Sequence, residues 1–312
     1  MKVLFIGLGS IGVRHLKNLL QIGKEKGISF EIWAWRSHKR ELPQEVKELI
    51  FGEIYIKEEL GFYDIAFITN PTSCHYETLC AIKHCVKAVF IEKPIFSSTD
   101  MQIEQCMLPT QKAYVAAPMR FCKPMLVLKE YLSQYRPYCA RLICSSYLPD
   151  WRPGVDYRQV YSARKELGGG VSIDLIHEWD YLVSLFGEPL CAHHFKGTYS
   201  DLEITSDDLA VSIVKYPDLL AEIHLDYFGR TYRRSIELFC QDGTLIADFG
   251  AGTVTLPNGQ VIACDEQVNE RYLREMRYFI EYVKTNQQES VNSPEMALRV
   301  LKLALGERNE NA

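Results

Sequence analysis

The first twenty residues, MKVLFIGLGSIGVRHLKNLL, constrain this chain more than any other stretch. Val3, Leu4, Phe5 and Ile6 form a short apolar run; Gly7, Gly9 and Gly12 follow at GxGxxG spacing; Ile11, Leu16, Leu19 and Leu20 then supply the apolar side of a helix. A strand that turns at once into a helix through such glycines is a dinucleotide-binding fingerprint. Gly7 makes the tight turn, Gly9 lets the backbone approach a pyrophosphate, and Gly12 lets the helix pack against the strand. Ser10 and Ile11 belong to the helix N-terminus, whose N–H groups face a phosphate. The six letters alone also fit a plain glycine-rich turn; the flanking strand and helix make the case for a nucleotide.

With 312 residues, 47% of them hydrophobic, the chain can fill two cores of ordinary size. The 35 basic and 40 acidic residues include no basic block that could track a nucleic-acid backbone, and no apolar run approaches a membrane span. Neither a nucleic acid nor a membrane is expected as partner. Met1-Lys2 leads straight into a strand without signal-peptide features, so the chain is expected to be cytoplasmic. Its ten cysteines include no CxxC pair, and no metal is expected.

ISFEIWAW at 28–35 reads as a second strand. Where an NAD site carries an acid for the ribose 2′-hydroxyl, Arg36, Ser37, Lys39 and Arg40 follow instead. This set favours NADP(H) over NAD(H), unless the charges simply face solvent. YDIAFITNP at 63–71 delivers Thr69, Asn70 and Pro71 to the sheet end where ligands bind. A helix from about His75 to His84, a strand at 87–94, a further helix and a strand at 112–120 continue the alternation, which predicts a doubly wound parallel sheet. Beyond Tyr138, strand-like runs at 140–148, 209–216, 219–228 and 235–240 predict an open, largely antiparallel sheet. The expected division is residues 1–119, a dinucleotide-binding domain, and 120–312, an α+β substrate and oligomerisation domain, with the last helix (293–306) packing back on the first.

Three stretches could carry chemistry. Glu92-Lys93-Pro94 ends a strand of the nucleotide domain, so the Lys93 ammonium could reach a substrate oxygen, or pair with Glu92 at a surface. In ELGGGVSIDLIHEWDYLVSLFG, Asp174, His177 and Asp180 recur at intervals of three on an otherwise apolar helix, over about 171–186. Such groups are costly to bury unless paired or used, and histidine is the one residue type among them whose unperturbed pKa is close to the range useful for proton transfer near neutral pH. They suit acid–base catalysis, a hydrogen-bonded core histidine or, less readily, a metal. Between them, residues 147–164 carry Tyr147, Trp151, Arg152, Tyr157, Arg158, Tyr161 and Arg164, a combination for a polyhydroxylated or anionic ligand, although aromatics also pin loops to a domain.

Taken in order, Gly7-Leu8-Gly9-Ser10-Ile11-Gly12, Asn70-Pro71 with His75, Glu92-Lys93-Pro94, Arg120-Phe121 with Pro124, and Gly169-Gly170 through Asp174, His177 and Asp180 resemble the glucose-fructose oxidoreductase, inositol dehydrogenase and MocA (Gfo/Idh/MocA) family over essentially the full length. The resemblance implies an N-terminal Rossmann domain, a C-terminal domain with an open sheet used for oligomer contacts, and hydride transfer between nicotinamide and a sugar or polyol carbon. It carries catalytic roles onto Lys93, Asp174 and His177, cofactor contacts onto the glycine turn, Asn70, His75 and Glu92, and a substrate contact onto Arg120. Many members place the Asp four residues before the His; here it is three before. The LPDWRPGVDY and DLIHEWDYL wording is similar to a branch in surface-glycan sugar metabolism.

The expected function is therefore an NAD(P)-dependent oxidoreductase acting on a secondary alcohol or ketone of a sugar, amino sugar or nucleotide-activated sugar. A non-catalytic sensor of the same fold, or an enzyme using tightly bound NAD(P) transiently, as an epimerase, eliminase or glycosidase-like enzyme does, is the alternative. The second sheet has apolar residues in both alternation sets, Leu209, Val211 and Ile213 in one strand and Ile223, Leu225 and Tyr227 in another, while Ser212, Lys215, Glu222, His224 and Asp226 speak for a polar face. An uncovered apolar face predicts a homodimer, or a tetramer built from it.

Overall fold

The opening apolar run is strand β1 (Lys2–Ile6), buried along almost its whole length as the centre of a sheet with helices on both faces must be. The computed structural model describes residues 1–37 and 41–307. After β1 come α1 (Ser10–Lys26), β2 (Glu31–Trp35), α2 (Gln44–Lys47), β3 (Gly52–Ile54), β4 (Tyr63–Ile68), α3 (His75–Ile82), β5 (Val86–Ile91), α4 (Ile103–Cys106) and β6 (Lys112–Val115). The strands form a parallel six-stranded sheet in the order β3-β2-β1-β4-β5-β6. The order reverses between β1 and β4, the switch point at which such sheets open a crevice.

Then follow α5 (Lys123–Leu132), β7 (Cys139–Tyr147), α6 (Val171–Asp174), α7 (His177–Phe186), β8 (Cys191–Gly197), β9 (Leu209–Lys215), β10 (Leu220–Asp226), β11 (Phe228–Cys240), β12 (Gly243–Asp248), β13 (Thr253–Thr255) and β14 (Val261–Ala263). These strands make an eight-stranded sheet, β14-β13-β12-β11-β7-β10-β9-β8, antiparallel except where β10 pairs with β7. The chain closes with α8 (Val268–Lys284) and α9 (Pro294–Leu305), where the Ser293 hydroxyl accepts from the Met296 N–H at 3.3 Å as an N-cap does.

Two compact units result: Met1–Pro118 with Asn269–Leu298, and Met119–Val268 with the residues from Arg299. α8, which the expected division at 119 puts in the second domain, belongs with the first unit, and α9 straddles the division. The reason lies in its apolar face. Phe279 inserts edge-on against Phe67 and Phe90, with ring centroids 5.7 and 5.2 Å away. Buried Glu275 accepts from the Tyr114 hydroxyl at 2.7 Å and the Ala117 N–H at 2.6 Å.

In the second unit, strand alternation separates two faces. Leu142, Ile223, Leu225, Ile236 and Leu238 are buried; α5, α6 and α7 pack on this sheet. The other face presents Ile143, Val211, Ile213 and Phe195 beside an Arg141–Glu222–Glu237 charge cluster. Ser212, read as an open-face polar residue, is instead buried, with its hydroxyl 2.9 Å from His194 Nδ1.

Replacing Phe279 with Ala removes a fully buried ring and should lower stability by ~3–5 kcal/mol. Guanidinium unfolding measures this; a loss below about 1 kcal/mol would show that α8 does not complete the first core.

Candidate functional site

Each unit carries part of the candidate machinery. In the first, the three fingerprint glycines are needed for three different reasons. Gly7 lies at φ +95°, and a β-carbon there would fall 2.5 Å from the Asn70 nitrogen. One on Gly12 would fall 2.1 Å from the Gly7 carbonyl oxygen, so only glycine lets α1 start this close to β1. Gly9 instead faces open space, with nothing within 4 Å of where a β-carbon would stand. No side chain caps the N-terminus of α1, which leaves its first N–H groups, those of Ser10 and Ile11 among them, to another acceptor. Asn70 gives its amide N–H to Thr78 Oγ1 at 2.9 Å and leaves its Oδ1 buried without a partner. A cavity of about 780 Å³ lies against Gly7, Leu8, Arg36, Ser37, Asn70 and Pro71. An open cradle, unsatisfied helix N–H groups and an orphaned acceptor fit a dinucleotide: the N–H groups would hold its pyrophosphate and Asn70 a hydroxyl or amide.

Several neighbours expected to touch the cofactor are occupied within the protein. The Thr69 hydroxyl donates to the Ile6 carbonyl at 3.1 Å and to that of Gly7, tying β4 to the end of β1. His75, fully buried, sits between the carbonyls of Ile95 (3.0 Å) and Asn70 (3.1 Å). Burial pushes its imidazole below its ordinary range, against the pull of those carbonyls. His15, on α1, lies 2.6 Å from Glu92 Oε1. Burial alone would push the Glu92 carboxyl up, but the His15 hydrogen bond and the charges of His15 and Lys93 outweigh it and hold it below the usual range. Lys93 follows half-buried, its N–H on Glu92 Oε2 at 3.1 Å and its peptide to Pro94 cis.

The Arg36 guanidinium donates to Glu53 and, at 3.5 Å, to the Tyr55 hydroxyl, which itself gives its proton to Glu53 at 2.7 Å. The acid missing after β2 is thus supplied from β3, behind Arg36. Lys39 and Arg40 lie outside the described residues.

In the second unit the expected single helix is broken at Leu175-Ile176, so Asp174 ends α6 and His177 begins α7. The two do not stack on one helix face, yet both line a cavity of about 420 Å³ with Tyr147, Trp151, Arg230 and Arg234. Asp174 accepts from the hydroxyls of Tyr161 and of Tyr227, the latter at 2.6 Å. Burial, with the Asp174 charge beside it, pushes the Tyr227 phenol far above its ordinary range, so it stays a donor at any working pH. Trp151 gives its indole N–H to Ser146 at 3.1 Å and meets the Tyr227 ring edge-on at 5.2 Å.

Asp180 is spent elsewhere, since both its oxygens accept from buried Arg120, at 2.9 and 2.7 Å. That ion pair occupies Arg120 as well. Arg158 is shared between Asp156 and Glu203, Arg164 pairs with Glu166, and the Tyr157 hydroxyl accepts from the Glu203 N–H at 3.2 Å. Asp156, Arg158, Arg164 and Glu203 border a separate cleft, and Arg152 is exposed. The basic groups at the His177 cavity come instead from β11. Arg234 is clamped bidentately by fully buried Glu178, at 2.7 and 2.9 Å. In the sequence they fall in the run FGRTYRR at 228–234, which by itself reads as a polar strand and does not single them out.

A parallel sheet with a dinucleotide cradle at its switch point, joined to a unit whose cavity holds an imidazole and a carboxylate, defines the class: a two-unit α/β protein built for nucleotide-cofactor chemistry. No protein-family model matches the chain. Over 96% of its length it is 25% identical to a myo-inositol 2-dehydrogenase of Thermotoga maritima, 93% of which is covered. Its fold matches a putative NADPH-dependent oxidoreductase from Desulfitobacterium hafniense (TM-score 0.83, 16% identity, 98% and 94% of the two chains). It also matches the WlbA dehydrogenase of Bordetella pertussis in complex with NADH and UDP-GlcNAcA (TM-score 0.76, 15% identity, 97% and 93%). These matches bear out the resemblance to Gfo/Idh/MocA-type dehydrogenases that the motifs carry.

Proposed function

We propose that the chain is an NAD(P)-dependent dehydrogenase that moves a hydride between nicotinamide and a secondary alcohol or ketone carbon of a sugar, amino sugar or nucleotide-activated sugar. The observation that carries this reading is the presence of His177 and Asp174 together on the wall of one aromatic-lined cavity, in a chain whose other unit holds a dinucleotide cradle. The bound cofactor supplies a hydride acceptor or donor. His177 takes the hydroxyl proton of an alcohol or returns it to a ketone, and the negative Asp174, held by two phenols, favours the imidazolium so formed. Lys93 is assigned to the substrate oxygen. Tyr147 and Trp151 offer flat faces to a sugar ring. Asp180, on α7, and Arg120 act as a buried structural pair. The relative named for myo-inositol and the neighbour solved with UDP-GlcNAcA support a polyhydroxylated substrate.

Lys93→Ala and His177→Ala should each lower turnover by about 10²–10⁴-fold with cofactor affinity kept within a few-fold. Unchanged turnover in either, on any sugar that the unmodified protein oxidises or reduces, would remove that residue from the mechanism.

For the cofactor we assign Arg36 and Ser37 to the adenosine 2′-phosphate of NADP(H), with Glu53 holding Arg36 partly neutralised. Arg36→Asp should turn the preference toward NAD(H). Glu53→Gln should tighten NADP(H) binding several-fold and leave NAD(H) unchanged. Dissociation constants for both nicotinamides that neither substitution moves would contradict the assignment.

The open sheet face, with Val211, Ile213 and Phe195, is assigned to a twofold contact between copies. Light scattering should give twice 35.9 kDa or a multiple of it, whereas 35.9 kDa itself would reject the dimer.

A further inference from the structure

β11 leaves its ladder with β7 just where it borders the His177 cavity. Phe228 pairs with Tyr147 and Arg233 with Ser145, and the register shifts between them. Such a bulge bends a strand and re-aims its side chains. This one is pinned: buried Asp226 accepts from the N–H groups of Phe228 (3.2 Å) and Gly229 (2.7 Å) and from the Ser145 hydroxyl (3.0 Å). A β-carbon on Gly229 would fall 1.8 Å from Ser145 Oγ, so a side chain there would displace the hydroxyl that bonds Asp226. The pinned bulge places Arg230 at the cavity wall with its guanidinium carbon 3.7 Å from the centre of the Tyr147 ring. Stacking fixes the plane of the group and leaves its N–H edge for a ligand.

Arg230 also differs from Arg234, the other arginine that lines this cavity, which has a carboxylate partner in Glu178. Among the described residues Arg230 has no hydrogen bond or ion pair, only the ring. Two carboxylates line the same cavity: that of Asp174 is taken up by its phenol donors, and Asp150 sits exposed on the turn Leu148–Trp151. We infer that Arg230, stacked on Tyr147, is the anchor for an anionic group of the substrate, a carboxylate on the sugar or the diphosphate of an activated sugar. This rests on the proposed reading of the cavity as a sugar site and names the charge that the sugar carries.

Calorimetric titration with three probes, glucose, glucuronate and UDP-glucose, tests the inference without requiring turnover. The unmodified protein should bind glucuronate or UDP-glucose about 10- to 100-fold more tightly than glucose, as one charge-assisted bidentate contact allows. Whichever of the two carries the advantage identifies the anion as carboxylate or diphosphate. Arg230→Gln should erase the advantage and leave glucose affinity unchanged, and Arg230→Lys, which keeps charge but not the fork, should restore only part of it. No preference for either anion in the unmodified protein, or equal losses for all three probes in Arg230→Gln, would overturn the inference. Anion-dependent binding without nicotinamide turnover would count against the dehydrogenase reading alone, and turnover of neutral sugars without that dependence against Arg230 alone.

Discussion

The first unit depends on the closeness of α1 to the end of β1. The Gly12 α-carbon lies against the Gly7 carbonyl, and the Thr69 hydroxyl bonds that same carbonyl from β4, so a side chain at Gly12 would have to push apart three elements at once. Set at this distance, α1 aims its uncapped N-terminus across the open space at Gly9. Just over a turn further along, it carries His15 to Glu92 at the end of β5. The hydrogen bond there helps keep Glu92 ionised beside Lys93. One packing contact thus sets both the phosphate cradle and the electrostatic setting of the candidate catalytic lysine.

The second unit builds its cavity from two interruptions of regular structure. The break at Leu175-Ile176 separates Asp174 from His177, and the shift between Phe228 and Arg233 lifts Arg230 and Tyr232 out of the ladder. Both are held by buried acids. Glu178 clamps Arg234 across from α7, and Asp226 gathers the loose N–H groups of the bulge. Unpairing a buried ion pair costs ~3–5 kcal/mol, so the cavity wall is stiff where a substrate would press on it.

Much of this was legible in the sequence. The apolar runs and their spacing carried the parallel sheet, because strands buried on both faces have no choice but to be continuously apolar. The glycine turn, Asn70, Asp174 and His177 were readable because each needs its residue type. Thr69, His75 and Asp180 look the same in the sequence as ligand-binding groups, and only coordinates show them spent on Gly7, Ile95 and Arg120. The break in α6–α7 falls on two apolar residues with no proline or glycine to mark it. Glu53 was missed because β3 is a three-residue strand, and it meets Arg36 only through sheet pairing. Arg230 and Arg234 sat in a run that reads simply as a polar strand.

Transfer of deuterium from reduced nicotinamide carrying deuterium in both C4 positions tests the central claim most directly. In single turnovers with a ketosugar that the protein reduces, mass spectrometry should find one deuterium on the new carbinol carbon of the product and one left on the oxidised cofactor. A product that forms without the label while the cofactor is consumed, or a label that returns to the cofactor in every cycle, would contradict net hydride transfer as the chemistry of this chain.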